Sequence, residues 1–490
     1  MSLNDLLVNL NLVIHLTFLV LWTCGLVLVD LFIPNNKKGI TAALAAVGLL
    51  ITLILVIIRS GMSVSAFNGM LTLDGFSAFL NVILLVSGLV SIALAYDYLK
   101  RSNLERGEYY TLLLFSIFGM MLMVSASNLI MVFLALELLS IPLYVLAGIA
   151  GPQVESEEAA LKYFLLGAFA SAFFLYGTAL VFGATGSTFL NEIVSAIPSD
   201  TTQLSTLLIG AGLILVGLGF KVAVVPFHMW TPDVYHGAPS SVTAFMSIGA
   251  KAAGFAALLR VFVVAFPALA NDMTTILWAL SAITLVLGNV IAISQKNIKR
   301  MLAYSSIAHA GFILMALVPY GVQAVTSDSV ASALFYLMAY MLTNFAAWAV
   351  VIALEHRNDA DTRSEGLTLD DYAGLGRQQP ALAIAMSVAM LSFLGLPPTI
   401  GFVAKFFVLR TVIEGGFPGL ALIGVLTSLV SAYYYLRVIV NMYMRDGEPI
   451  VRREVLLFST AMLTAASTVL LVIFAEPLFQ WASAAVLQLL

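Results

Sequence analysis

The stretch LGFKVAVVPFHMWTPDVYHGAP, residues 218–239, places Lys221 inside an apolar run and breaks that run five residues later at Pro226. An ammonium group in such a run costs free energy, and a proline without a backbone donor disrupts the helix beside it. Freed backbone groups at membrane depth persist where they line protein or a water-filled cavity. A break next to an ionisable residue is therefore a place where water and protons enter. The arrangement recurs in SFLGLPPTIGFVAKFF, where Pro397 and Pro398 precede Lys405 in a run too long for one straight crossing.

The rest of the chain fits a membrane interior. Hydrophobic residues make up 61% of it and charged residues 10%, with a mean hydropathy of +1.03; soluble domains are about 25% charged. Many apolar runs approach the ~20 residues a helix needs to cross the hydrocarbon core. The short alternating segments of a β-barrel are not evident. The reading is an all-α polytopic membrane protein of about fourteen transmembrane helices. They fall near 11–33, 39–59, 75–97, 109–126, 128–149, 159–184, 205–227, 240–266, 274–294, 301–320, 329–355, 380–413, 418–444 and 455–486. The N-terminus lacks the basic segment of a signal peptide, so the first run is expected to be retained.

Basic residues test the orientation. Lys37, Lys38, Lys100, Arg101, Arg106, Lys296, Lys299, Arg300, Arg357, Arg363, Arg377, Arg445, Arg452 and Arg453 fall in one alternating set of loops, fourteen of the 22 Lys and Arg residues. The opposite loops near 60–73, 185–204, 267–273 and 321–328 hold none. The Lys/Arg side is expected to face the cytoplasm and both termini the outside. The charged segment 356–379 is a connection too short for a domain, leaving one integral membrane unit over 1–490. By this topology the Lys221 and Lys405 spans are antiparallel and five spans apart. That implies two inverted five-helix repeats, about 109–266 and 274–444, with two broken helices. Spans 1–3 at 11–97 precede them, and a last span near 455–486 follows.

A few ionisable residues lie inside spans. Glu137 stands in NLIMVFLALELLSIPLYVL, Lys251 in SSVTAFMSIGAKAAGFAALL and His309 in MLAYSSIAHAGFILM. Each buried charge costs about 2.5–3.5 kcal/mol on insertion scales, against a total stability of about 5–15 kcal/mol. One Glu–Lys pair could merely fix helix packing, but a series of lysines with one deep carboxylate leaves most without an anionic partner. The protonation of a buried amine depends on whether an anion stands beside it, so a lysine that gains and loses Glu137 takes up and releases a proton. Lys162, one turn after Glu158, reads equally as an interfacial i,i+4 pair or as a functional group. His309 reads equally as a relay group or as a hydrogen-bonded packing residue. Arg437 lies near a helix end and can snorkel.

The motifs PFHMWTPDVYHGAP, GNVIAISQKNIKRMLAYSSIAHAGF and LSFLGLPPTIGFVAKF resemble the antiporter-like membrane subunits of complex I, the N-type branch above all, over essentially the whole chain. The resemblance implies a fourteen-helix membrane-arm subunit of a respiratory NADH–quinone oxidoreductase, with one proton channel. Glu137 and Lys221 would be its Glu–Lys pair, Lys251 the central lysine, and His309 a member of the polar axis. Lys405 would be the terminal residue, and Lys162 a further lysine near the fifth and sixth spans. A lysine at 405 fits the N-type, whereas M-type relatives tend to have glutamate. His236 departs from the pattern, which puts an acid in that loop. The partners implied are M-type antiporter-like and K/J/A-type small subunits in a bacterial inner membrane. No cofactor is expected in this chain; NADH, FMN, iron–sulfur clusters and quinone belong to other subunits. The lone Cys24 cannot hold an iron–sulfur cluster, and a net charge of −4 without a basic arm excludes nucleic acid. The five histidines offer no clear haem pair. The alternative is a subunit of a multi-subunit Mrp-type cation/proton antiporter.

Overall fold

A computed structural model describes residues 3–151, 153–197, 200–357 and 364–486. It is almost wholly helical: α1 Leu3–Leu12, α2 Ile14–Asp30, α3 Gly39–Arg59, α4 Gly75–Arg101, α5 Gly107–Ser125, α6 Leu129–Ala147, α7 Val154–Thr185, α8 Leu190–Ser195, α9 Thr201–Val222, α10 Trp230–Gly237 and α11 Ser240–Arg260. Then follow α12 Ala270–Ser294, α13 Ile298–Leu317, α14 Thr326–Leu354, α15 Leu375–Gln378, α16 Pro380–Leu394, α17 Ile400–Glu414, α18 Pro418–Met444, α19 Val455–Leu470 and α20 Ala475–Val486.

Among the described residues twelve helices are long and apolar enough to cross a membrane, or thirteen if α1 and α2, bent by 94°, form one span. The expected run 380–413 is instead two 15-residue helices, α16 and α17, separated by the break the prolines predict. The windows of α11 and α14 are almost entirely buried, whereas α3, α7 and α18 turn much of their apolar surface outward. Leu50, Ile54, Ile58, Phe169, Tyr176 and Leu429 are among these exposed large residues. An apolar exterior around a buried centre suits a lipid solvent, in which the interior is the place for polar groups.

Two local designs occur twice. In the first, the α5–α6 hairpin has the sequence GMMLMVSASN and the α12–α13 hairpin GNVIAISQKN, with Gly, Ser and Asn at matching positions. Asn128 caps α6 through Ile130 N at 2.9 Å, and Asn297 caps α13 through Lys299 N, also at 2.9 Å. Leu129 N bonds Thr188 O and Leu190 N bonds Ser127 O; Ile298 N bonds Leu367 O and Leu369 N bonds Lys296 O. A Cβ on Gly119 would lie 2.5 Å from Leu139 N, and one on Gly288 2.8 Å from Ala308 N. Each glycine therefore allows its hairpin to close at one turn. In the second design, a helix ends at a left-handed residue, Ala223 (φ +62°) or Gly395 (φ +85°), three residues before a proline.

The Lys/Arg loops are tied together at one end of the bundle. Arg101 pairs with Glu454 at 2.6 Å, Arg445 with Asp370 at 3.1 Å, and Arg377 with Asp446 at 2.5 Å. Arg437 donates to Ile293 O and Gln295 O, carbonyls at the end of α12, at 3.1 and 2.6 Å. The Arg363 expectation lies outside the described residues. At the opposite end Arg260 makes a bidentate bridge to Asp74, both contacts 2.9 Å. Both residues are buried, and Asp74 also caps α4.

Candidate functional site

The interior charges are held by the two repeated designs. Each hairpin presents two polar positions, nine and twelve residues after its capping asparagine: Glu137 and Ser140 in α6, Ser306 and His309 in α13. Each break brings up a lysine. Lys221 lies one turn before the first break, and Lys405 follows the second.

Lys221 is 4% exposed. Its Nζ donates to Ser140 Oγ at 2.9 Å and Tyr163 Oη at 3.2 Å. Glu137, half-buried, accepts from Ser171 Oγ. No direct Glu137–Lys221 ion pair within 4.0 Å occurs among the described residues. The amine is held instead by Ser140, one turn along α6 from Glu137, whose own hydroxyl donates to Leu136 O. Tyr163 stacks on Trp230 at 4.5 Å, so the ring that receives Lys221 is fixed by the segment after the break.

Lys251 is 2% exposed and donates to Ser306 O at 2.5 Å, with its amine 5.8 Å from the Tyr340 ring. His309 bonds Tyr336 Oη through Nδ1 at 2.7 Å and Tyr435 Oη through Nε2 at 3.2 Å. Tyr435 Oη reaches Ser305 Oγ at 2.5 Å. Lys405 donates to Leu394 O at 3.0 Å and Ser428 Oγ at 3.1 Å, with Phe312 4.7 Å below its amine. None of these three lysines has a carboxylate within 4.0 Å among the described residues. Their partners are carbonyls, hydroxyls and ring faces, which stabilise a cation without neutralising it. Hydroxyls both donate and accept, so Ser140, Tyr163, Tyr336, Tyr435 and Ser428 can pass a proton along as well as hold an amine. A small cleft lined by His309, Tyr340, Thr343, Ser392 and Phe393 has a volume of about 10 Å³, room for about one water.

Lys162 is not part of this line. It pairs with Glu158 at 2.6 Å, the i,i+4 contact expected, and also with Asp233 at 2.8 Å; Asp233 in turn holds Arg300 at 2.8 Å. This partly exposed cluster ties α7, α10 and α13 together. Asp233 was missed in the sequence. It lies ten residues after Ala223, as Lys405 lies ten after Gly395, and that matched spacing was the available signal. Lys299 and Glu355 were also missed as interior groups: both lie near helix ends, yet they are 2% and 3% exposed.

Broken helices, a sealed polar interior and a lipid-facing exterior define a polytopic membrane protein of the antiporter-like class. The chain belongs to the NADH:quinone oxidoreductase/Mrp antiporter transmembrane family, whose profile matches residues 126–431, and within it to the N-subunit branch of NADH-quinone oxidoreductases. It is 46% identical to NADH-quinone oxidoreductase subunit N of Chloroflexus aggregans, over 90% of either chain. It is 45% identical to the subunit of that name in Trichlorobacter lovleyi, over 90% of this chain and 89% of the relative. A chain in the structure of respiratory complex I from Thermus thermophilus with bound aureothin matches with a TM-score of 0.82 and 35% identity, covering 96% of this chain and 100% of that one. A chain of the Mrp complex from a Dietzia species matches with a TM-score of 0.85 at 19% identity, over 96% of each, and so shares the fold.

Proposed function

We propose that this chain is a proton-translocating membrane subunit of a respiratory NADH–quinone oxidoreductase. Protons move along Glu137, Lys221, Lys251, His309 and Lys405, driven by quinone reduction in other subunits. The observation that carries the reading is the set of buried lysines without carboxylate partners among the described residues, each held by hydroxyls, carbonyls or ring faces, with His309 held between two tyrosine hydroxyls. A lysine so placed is costly as a fixed charge and useful as one that comes and goes: moving one charge against ~150 mV takes about 3.5 kcal/mol. That is the scale on which burial and a nearby anion bias an amine.

The two repeated designs support an inverted pair of five-helix units, 109–266 and 274–444, within one integral domain of fourteen crossings. The partners are neighbouring membrane-arm subunits of the M type and the small K/J/A types. The Lys/Arg end faces the cytoplasm of a bacterial inner membrane, with both termini outside. NADH, FMN, iron–sulfur clusters and quinone are bound elsewhere in the complex, and Lys162 anchors α7 to α10 and α13.

The test is the assembled complex in proteoliposomes carrying Lys251→Ala. Quinone reduction should persist in the presence of uncoupler while protons moved per electron fall. Parental proton movement in an assembled Lys251→Ala complex would overturn the relay. Sodium-dependent exchange without quinone-linked pumping would instead establish the antiporter alternative.

A further inference from the structure

At the Lys/Arg end, a cavity opens between the end of α4, the start of α7, the α10–α11 turn and the end of α14. Tyr98, Glu155, His236, Ala238, Lys299 and Glu355 line it, with Gln153 at its rim, and its volume is about 200 Å³. A water needs about 10–15 Å³ of such space, so several fit. Glu355, 3% exposed, accepts one hydrogen bond there, from Tyr98 Oη to Oε1 at 3.2 Å. Its Oε2 is buried without a hydrogen-bond partner among the described residues. Lys299 faces the same space and spends its amine on Ala238 O at 2.7 Å, with no carboxylate within 4.0 Å among the described residues. A buried carboxylate oxygen without a protein partner is costly unless water reaches it, and the cavity over Glu355 has room for that water.

One wall of the cavity is Pro239, at the start of α11, the helix that carries Lys251. Tyr98 Oη also receives Ser240 N–H at 3.3 Å, and Ser240 Oγ is buried with no partner among the described residues. Ser240, Ser247 and Lys251 lie at positions i, i+7 and i+11 of α11, one stripe of a helix. Ser247 is held by Asn344 at 2.6 Å. Lys299 and Ser306, whose carbonyl receives Lys251, share a face of α13 in the same way. We propose that this cavity is the proton entrance of the chain, with Glu355 as its collecting group and the Ser240–Ser247 stripe as its route to Lys251. A proton from water on the Lys/Arg side converts the Glu355 carboxylate to the acid. It then leaves Oε2 through water and the Tyr98 and Ser240 hydroxyls, restores the carboxylate, and ends on the neutral Lys251 amine as ammonium.

The inference rests on the relay reading, so the experiment includes Lys251→Ala. In the assembled complex in proteoliposomes, Glu355→Gln should slow proton transfer through this chain by about a hundredfold, the low side of what a positioned acid–base group contributes. Quinone reduction with uncoupler should be retained, and Glu355→Asp should recover most of the pumping. Independently, Gln153→Cys in a Cys24→Ser background should lose pumping when a membrane-impermeant cationic thiol reagent is added on the Lys/Arg side, whereas the Cys24→Ser parent should not. Parental protons per electron in Glu355→Gln, or no effect of the reagent on Gln153→Cys, overturns the entrance. If Glu355→Gln fails to assemble, the labelling result decides. Parental pumping in Lys251→Ala would remove the relay itself; loss there with parental pumping in both cavity variants removes the entrance alone.

Discussion

The two halves of the interior use one backbone design with different charges. In the first, the hairpin supplies Glu137 and Ser140, the break carries Lys221 before it, and the matching position after it is Asp233. In the second, the same positions hold Ser306 and His309, the residue before the break is Phe393, and Lys405 follows it. Lys221 thus has a carboxylate one helical turn from its hydroxyl partner, whereas Lys405 has carbonyl, hydroxyl and ring partners only. Phe393 instead packs its ring 5.0 Å from His309. Matched scaffolds fix where a titratable group can stand, and the side chains placed there decide how strongly each amine is held.

The largest effect expected from breaking this contrast is at the lysines. Lys221→Ala and Lys405→Ala should each slow proton movement at least about tenfold in an assembled complex, as read by dye quenching in vesicles. Equal loss from both would make the halves parts of one relay; loss from only one would make them separate. Lys405→Glu asks whether charge sign matters there, and a fully coupled variant would dissolve the distinction between the halves. Glu137→Ala should have a smaller effect on pumping than Lys221→Ala, because Ser140 and Tyr163 still hold the amine. A loss as large as that of Lys221→Ala would show that the indirect carboxylate carries the step.

The breaks themselves should respond with opposite sign. Gly395→Ala puts a Cβ at φ +85° and 2.8 Å from Lys405 Cδ. It should cost about 1–2 kcal/mol, the penalty of a left-handed residue, seen as a lower melting temperature of the detergent-solubilised complex. Ala223→Gly removes that strain and should stabilise by less than about 1 kcal/mol after the added backbone entropy. The smallest change is expected from Asp233→Asn, which loosens Lys162 and Arg300 in a partly exposed cluster. It should shift stability by no more than about 1 kcal/mol. A large fall in pumping there would make Asp233 the functional counterpart of Lys405 in the first half and not an anchor.

Much of this was legible along the chain. Apolar runs and Lys/Arg alternation give a multi-pass helical protein, and the run 380–413 divides where its prolines predict. Glu137, Lys221, Lys251, His309 and Lys405 stand out because a charge in an apolar run is visible without neighbours. Lys299 was read as a loop residue and Glu355 and Arg260 were passed over, because sequence cannot tell a charge that leaves a helix end for water from one folded under a neighbouring loop. Asp233 and the paired G-x5-S-x2-N hairpins were present in the letters but fall between segments too dissimilar to align by eye.

What the sequence determined by itself is the medium and the inventory: helices in lipid, and a short list of ionisable groups that such a solvent makes expensive. Only the tertiary structure decided which of them meet. It gave Lys221 to Ser140 and Tyr163 and Glu137 to Ser171, and it put a carbonyl under Lys251 and a cavity over Glu355. These contacts join residues far apart in the chain through helix crossings of a few ångströms, and periodicity along one helix carries no information about the face of another.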